Sequence, residues 1–201
     1  MNYRKLFLFI LRFLAYALVL AGLYVIFTYD AAHNPGEMKI TENSLTEIFQ
    51  EIFVFLSAVG FFIAARKSKE LAPVLYLLSI LFIMSFIREF NNQIEFWFYV
   101  VLPFLCLFIF LLVRNFKKNV AAFLEFTELR SSGAFFMGFL ITYLFSRLFG
   151  KTALWISLLG DTYNRTAKNM AEEGIELLGY SIILISVIEL LVLIFQKKEH
   201  Q

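Results

Sequence analysis

Residues 6–27 read LFLFILRFLAYALVLAGLYVIF, and only Arg12 in this stretch is charged. A helix rises about 1.5 Å per residue, so 22 residues cover roughly 33 Å, enough for the ~30 Å hydrocarbon layer of a bilayer. The run is too long for the roughly 7–15-residue apolar segment of a signal peptide, and no small-x-small cleavage site follows it. Behind Arg4 and Lys5 it reads as a retained first membrane span.

Five more stretches have the same character: 45–65, 71–87, 96–113, 133–149 and 175–195. Lipid offers no hydrogen-bond partners to a peptide group, so each must be helical. The chain therefore reads as one all-α, polytopic integral membrane bundle of about six spans, without internal repeats or low-complexity segments. Composition agrees. Of 201 residues, 60% are hydrophobic and 17% charged, against roughly 45–50% apolar and about 25% charged in soluble domains. Mean hydropathy is +0.74. A net charge of +2 gives no basis for nucleic-acid binding. The single cysteine, Cys106, lies inside an apolar run and reads as a small packing hydrophobe, so no intrachain disulfide forms. His33 and His200 lie in a loop and in the C-terminal tail, which excludes haem held between two intramembrane histidines.

Orientation follows from basic residues in the connections. One set holds Arg4, Lys5, Arg66, Lys67, Lys69, Arg114, Lys117, Lys118, Lys197 and Lys198; the other holds Lys39, Arg88, Arg147, Lys151, Arg165 and Lys168. The ten-to-six excess predicts both termini on the cytoplasmic side, and the short loops suggest a bacterial inner (plasma) membrane. Tyr24, Tyr29, Trp97, Tyr99 and Tyr143 then fall near the outer interface as an aromatic belt.

Three segments lie outside the spans. Residues 28–44 form a polar outer loop with a turn signal at Asn34-Pro35-Gly36. Residues 119–130 read as a cytoplasmic interfacial helix. Residues 151–174 form the longest outer loop, whose patch TALWISLLG (152–160) is too short to span. Asn164-Arg165-Thr166 matches a glycosylation sequon, which matters only in a eukaryotic host.

Small residues recur every four positions at Ala134, Gly138, Thr142 and Ser146, and a second strip runs through Ser57, Gly60 and Ala64. Such strips let helix backbones approach closely in lipid, within the chain or between subunits of an oligomer. Pro103 removes one backbone donor from the fourth span, and a kink is expected there.

Charges inside a span cost roughly 2.5–3.5 kcal/mol at the centre on insertion scales and invite a functional reading. Arg12 and Glu189 lie at similar depth from the cytoplasmic side, on the first and last spans, and are expected to form an ion pair. A larger group gathers at the outer ends of four spans. LTEIFQEIF places Glu47, Gln50 and Glu51 on one face; SFIREFNN does so for Ser85, Arg88, Glu89 and Asn92; the fifth span ends at Arg147; AEEGIELLGY brings Glu172, Glu173, Glu176 and Tyr180. Six carboxylates facing two arginines cannot all stay charged in a low dielectric: some protonate, or a cation joins them. Glu47, Glu51, Glu89 and Glu176, with no histidine or cysteine, would suit a hard ion such as Mg²⁺, Ca²⁺ or Mn²⁺. The bland alternative is that the arginines pair with two glutamates while the rest meet water at the helix ends. Glu176 and Glu189 are 13 residues apart, roughly 220° around a helix, so the two charged groups read as separate sites.

No phosphate loop, H-E-x-x-H, G-x-S-x-G or nucleophile–histidine arrangement occurs. Three function classes remain, in this order. The first is a non-catalytic membrane subunit: a scaffold, regulator or accessory partner of itself or of another membrane protein. The second is an oligomeric cation or proton channel or transporter using the outer cluster. The third is an intramembrane enzyme acting on a lipid or lipid-linked substrate, with Glu51, Glu89 and Glu176 as candidate acid and base.

Overall fold

The computed structural model describes residues 3–33, 44–92 and 95–199, apart from the side chains of Arg4, Asn92, Lys198 and Glu199. All elements among them are helical. They are α1 (Tyr3–His33), α2 (Leu45–Lys67), α3 (Ala72–Glu89), α4 (Trp97–Arg114), α5 (Phe116–Glu128), α6 (Ser132–Leu140), α7 (Ser146–Phe149), α8 (Thr152–Leu159) and α9 (Arg165–Glu199). A π-helical turn, Ile141–Phe145, joins α6 to α7, so Ser132–Phe149 is one rod. Among the described residues six helices are long and apolar enough to cross a membrane: α1, α2, α3, α4, the α6–α7 rod and α9.

α9 is the axis of the bundle. It packs against both α2 and the α6–α7 rod, with α1 alongside; α3 lies on α2, and α4 lies against α3. The reason is legible along α9. Leu177, Tyr180, Ile183, Val187, Leu190 and Ile194 are all buried, and their spacing of three and four puts them on one stripe. Both small-residue strips turn toward it. A Cβ on Gly60 would strike Val187, and one on Gly138 would sit 2.8 Å from Ile183 and 2.9 Å from the Gly179 carbonyl. Backbone contact that close is what glycine permits. An aromatic hub ties in the other helices: Phe61 of α2 lies 5.6 Å from both Phe82 of α3 and Phe135 of α6, and Phe126 of α5 lies 5.5 Å from Phe135.

Polar side chains tie neighbouring helices together and close some of their ends. Ser186 on α9 donates to the Ser131 carbonyl at 2.9 Å, and Ser79 on α3 donates to the Ala58 carbonyl on α2 at 2.9 Å. Asn119 on α5 donates to the Leu111 and Leu112 carbonyls in the last turn of α4 at 3.0 and 3.1 Å, joining at Leu111 the backbone nitrogen of Asn115. Asp30, buried near the end of α1, caps α2. It accepts from the backbone nitrogens of Leu45 at 3.0 Å and Thr46 at 2.7 Å, and from the Thr46 hydroxyl at 2.6 Å. A carboxylate there also meets the positive end of the helix dipole.

The boundaries differ from the sequence expectation in three places. The first helix runs on to His33 rather than ending at Phe27, because Asp30 has a buried partner. The interfacial helix begins at Phe116 rather than Asn119. Residues 151–174 are not a loop: α8 and a 3₁₀ turn, Gly160–Thr162, fill its first half, and α9 begins at Arg165. Gly160, at φ 53°, permits the reversal after α8. Pro103 lies inside α4, which continues through it. The expected turn at Asn34-Pro35-Gly36 lies outside the described residues.

Candidate functional site

The polar cluster forms where the N-terminal halves of α2 and α9 meet the C-terminal ends of α3 and the α6–α7 rod. From α2, the buried Gln50 amide donates to the Glu173 carbonyl at 2.9 Å and to Glu173 Oε2 at 3.1 Å. From α3, Arg88 Nη2 lies 2.9 Å from Glu89 Oε1, and the Tyr180 hydroxyl of α9 donates to the same oxygen at 2.9 Å. Ser85 shares a 2.7 Å hydrogen bond with Tyr143, whose ring stacks edge-on against Tyr180 at 6.1 Å. Arg147 of α7 bridges two turns of α9: Nη1 is 3.0 Å from Glu172 Oε1, and Nη2 is 2.9 Å from Glu176 Oε1. Lys168 adds a 2.9 Å contact to the other oxygen of Glu172.

Local structure explains the convergence. Glu172, Glu176 and Tyr180 are four apart and share one face of α9, with Glu173 beside them. Gly150 lies so close to Glu172 that a Cβ there would collide with the carboxylate. The π turn widens the helix just where Tyr143 must reach Ser85; such turns occur often at functional positions. Within it Thr142 is buried with no hydrogen bond for its hydroxyl, and its carbonyl takes the Ser146 hydroxyl.

Burial and charge set the chemistry. Glu176 is 4% exposed; its Oε1 meets Arg147 by charge, without the alignment of a hydrogen bond. A buried carboxylate without a countercharge is costly, so Arg147 holds this part of the site in place. Glu173 meets an amide rather than a cation. Among the described residues Glu51 forms no ion pair; it is half-buried and feels the Glu89 charge. Glu47 sits in the first turn of α2, where its backbone nitrogen is capped by Ser44. The cluster thus sets three cations, Arg88, Arg147 and Lys168, among six glutamates.

Of the residues expected from the sequence, the structure joins Gln50 to Glu173, Glu89 to Arg88 and Tyr180, and Arg147 to Glu172 and Glu176. Asn92 closes a short 3₁₀ turn, and its side chain lies outside the described part. Among the described residues no three His, Cys, Asp or Glu side chains are grouped so as to hold a metal ion. Lys168 and Tyr143 were missed. In the sequence Lys168 reads as loop, though its four-residue spacing from Glu172 is a helical signal, and Tyr143 reads as part of the interfacial belt.

The second charged site lies toward the C-terminal end of α9. Arg12 Nε is 3.4 Å from Glu189 Oε1, and the Tyr16 hydroxyl donates to the same carboxylate oxygen. Glu176 and Glu189 stand in different surroundings on different neighbours, and no described polar chain links them. Comparison with family models, with curated proteins and with solved structures found no match.

Proposed function

We propose that the chain is a non-catalytic integral membrane subunit, a scaffold or accessory partner, with both termini on the cytoplasmic side of a bacterial inner membrane. One observation carries this reading: the groups of the polar cluster are spent largely on one another, across four helices. Glu89 and Glu176, two of the three candidate acid–base residues, each meet an arginine. Such a network fixes helix register rather than presenting a reactive group. The uncovered surface is elsewhere. No residue of α4 is buried, and its apolar side chains are available to a second copy or to another membrane protein. The orientation is supported by the gathering of Arg66, Lys67, Lys69 and Lys197 around one recess at the end of the bundle opposite the cluster.

Cys106 offers a direct test, because it is exposed on α4 and is the chain's single cysteine. Thiol crosslinking in native membranes gives a dimer band, absent in Cys106→Ser, if α4 meets a second copy. A crosslink to a different protein identifies an accessory partner. Flux of a cation or protons in proteoliposomes, abolished by Glu51→Gln, overturns the subunit reading.

One observation favours a second reading, an oligomeric cation or proton path. Glu51 and Glu173 have no cationic partner among the described residues, leaving the cluster with surplus negative charge. The hard cation expected at Glu47, Glu51, Glu89 and Glu176 belongs to this reading, and there it would have to compete with Arg88 for Glu89 and with Arg147 for Glu176. In that case Mg²⁺, Ca²⁺ or Mn²⁺ raises the melting temperature in detergent, and Glu51→Gln removes the rise.

A further inference from the structure

The seam between α1 and α9 is not closed. From Tyr3 to Gly22 the described side chains of α1 are exposed except for Tyr16 and Val19, which are half-buried; full contact with the bundle returns at Leu23. Between the two helices lies a cavity of about 370 Å³, within the range of small-ligand sites. One wall is apolar, with Val19 from α1 and Ile185, Ile188 and Val192 from α9. The other end is polar and holds Arg12, Tyr16, Glu189, Gln196 and Arg130.

The charge there does not balance. Arg12 and Tyr16 both reach Glu189. Arg130 is exposed at the same mouth and has no ion pair or hydrogen bond among the described residues. Two guanidinium groups therefore meet one carboxylate. Guanidinium groups match phosphate oxygens in shape as well as charge. Val19 lies seven residues beyond Arg12, about 10 Å along the helix, which fits within one leaflet of a roughly 30 Å hydrocarbon layer. A second recess farther along the seam, about 310 Å³ and lined by residues such as Leu20, Phe27 and Ile175, has no charged lining. The cationic mouth is thus a property of one end.

We infer that this cleft holds one anionic phospholipid, its phosphate between Arg12 and Arg130 and an acyl chain along Val19 and Ile188. The inference rests on the membrane reading of α1 and α9. The occupant comes from the bilayer because the cleft opens along the exposed apolar side of α1. Basic pockets between membrane helices at the positive end are the usual receptors for acidic headgroups.

The test uses the full chain in a non-ionic detergent, with phosphatidylglycerol, phosphatidylcholine or inorganic phosphate as probe, read by thermal unfolding across a concentration series. Phosphatidylglycerol raises the melting temperature at lower concentration than phosphatidylcholine, and inorganic phosphate alone has no effect. Arg130→Gln weakens the phosphatidylglycerol response about fivefold, as expected for one basic residue near an acidic headgroup. Ala15→Trp, an exposed position lining the cleft, removes the response without lowering the lipid-free melting temperature. Lys67→Gln with Lys69→Gln, at the separate basic recess, leaves it intact. Equal responses to the two lipids, a full response to phosphate alone, or loss in the Lys67/Lys69 variant rather than in Arg130→Gln each overturns the inference. Retention of the protein in carbonate-washed membranes reads the membrane assignment separately.

Discussion

α9 and α4 are both apolar enough to cross a bilayer, yet one is the axis of the molecule and the other has no fully buried residue. The difference lies in small and polar residues. α9 carries Gly174, Gly179, Ser181 and Ser186 among its leucines and isoleucines, whereas α4, WFYVVLPFLCLFIFLLVR, contains no Gly, Ala or Ser. Lipid tails solvate leucine as well as another helix does, so apolarity decides what enters the membrane and small residues decide what touches.

The sharpest way to break this comparison is to fill the contact. Gly138→Leu puts a side chain where Ile183 and the Gly179 carbonyl already stand and is expected to destabilise by on the order of 3 kcal/mol, read as a large drop in the detergent melting temperature. Leu107→Ala on α4, which removes three carbons at an exposed position, should change stability by less than about 0.5 kcal/mol. Equal losses would mean that α4 has a partner in the purified state.

Next in size is Arg147→Leu, which strips both Glu172 and Glu176 of their shared cation. The arginine is half-exposed, so the loss is expected at about 2 kcal/mol, below the 3–5 typical of a fully buried pair. Adding Glu176→Gln should restore part of it, since the uncompensated buried charge is gone. No restoration would show that Arg147 acts through packing.

A smaller effect is expected at the other charged site. Glu189→Leu leaves Arg12 alone in the membrane and should cost about 1–2 kcal/mol, and the double variant with Arg12→Leu should be milder than the single. Equal damage from both would dissolve the pairing as an energetic unit. The smallest expected effect is chelation. If the cluster is internally satisfied, EDTA should not move the melting temperature by more than the error of replicate scans, and a cation-dependent rise would shift weight to the transport reading.

The six long helices were legible because apolar runs of bilayer length have few alternatives. Both small-residue strips were legible too, because a four-residue repeat has one geometric meaning on a helix. That Glu172, Glu176 and Arg147 lie at one level followed from spacing and depth; which glutamates the arginine takes did not. Less visible was anything that depends on a distant partner. Asp30 looks like the start of a polar loop until Leu45 and Thr46 arrive to use it. Arg165 to Gly174 looked like loop because its many polar residues masked a helical register that Lys168 and Glu172 in fact keep. The π turn left no signal, since one extra residue per turn does not alter which residue types are present.

The position of the axis in the chain has a consequence for biogenesis. α2 and the α6–α7 rod expose their glycine and serine strips to a helix that is synthesised after both. If the long helices cross a bilayer as proposed, then until α9 enters it those strips can be met only by lipid, by the other helices or by a membrane chaperone. On the membrane reading, folding is a keystone process: the earlier helices stand unfastened until α9, made after both strips, locks them together.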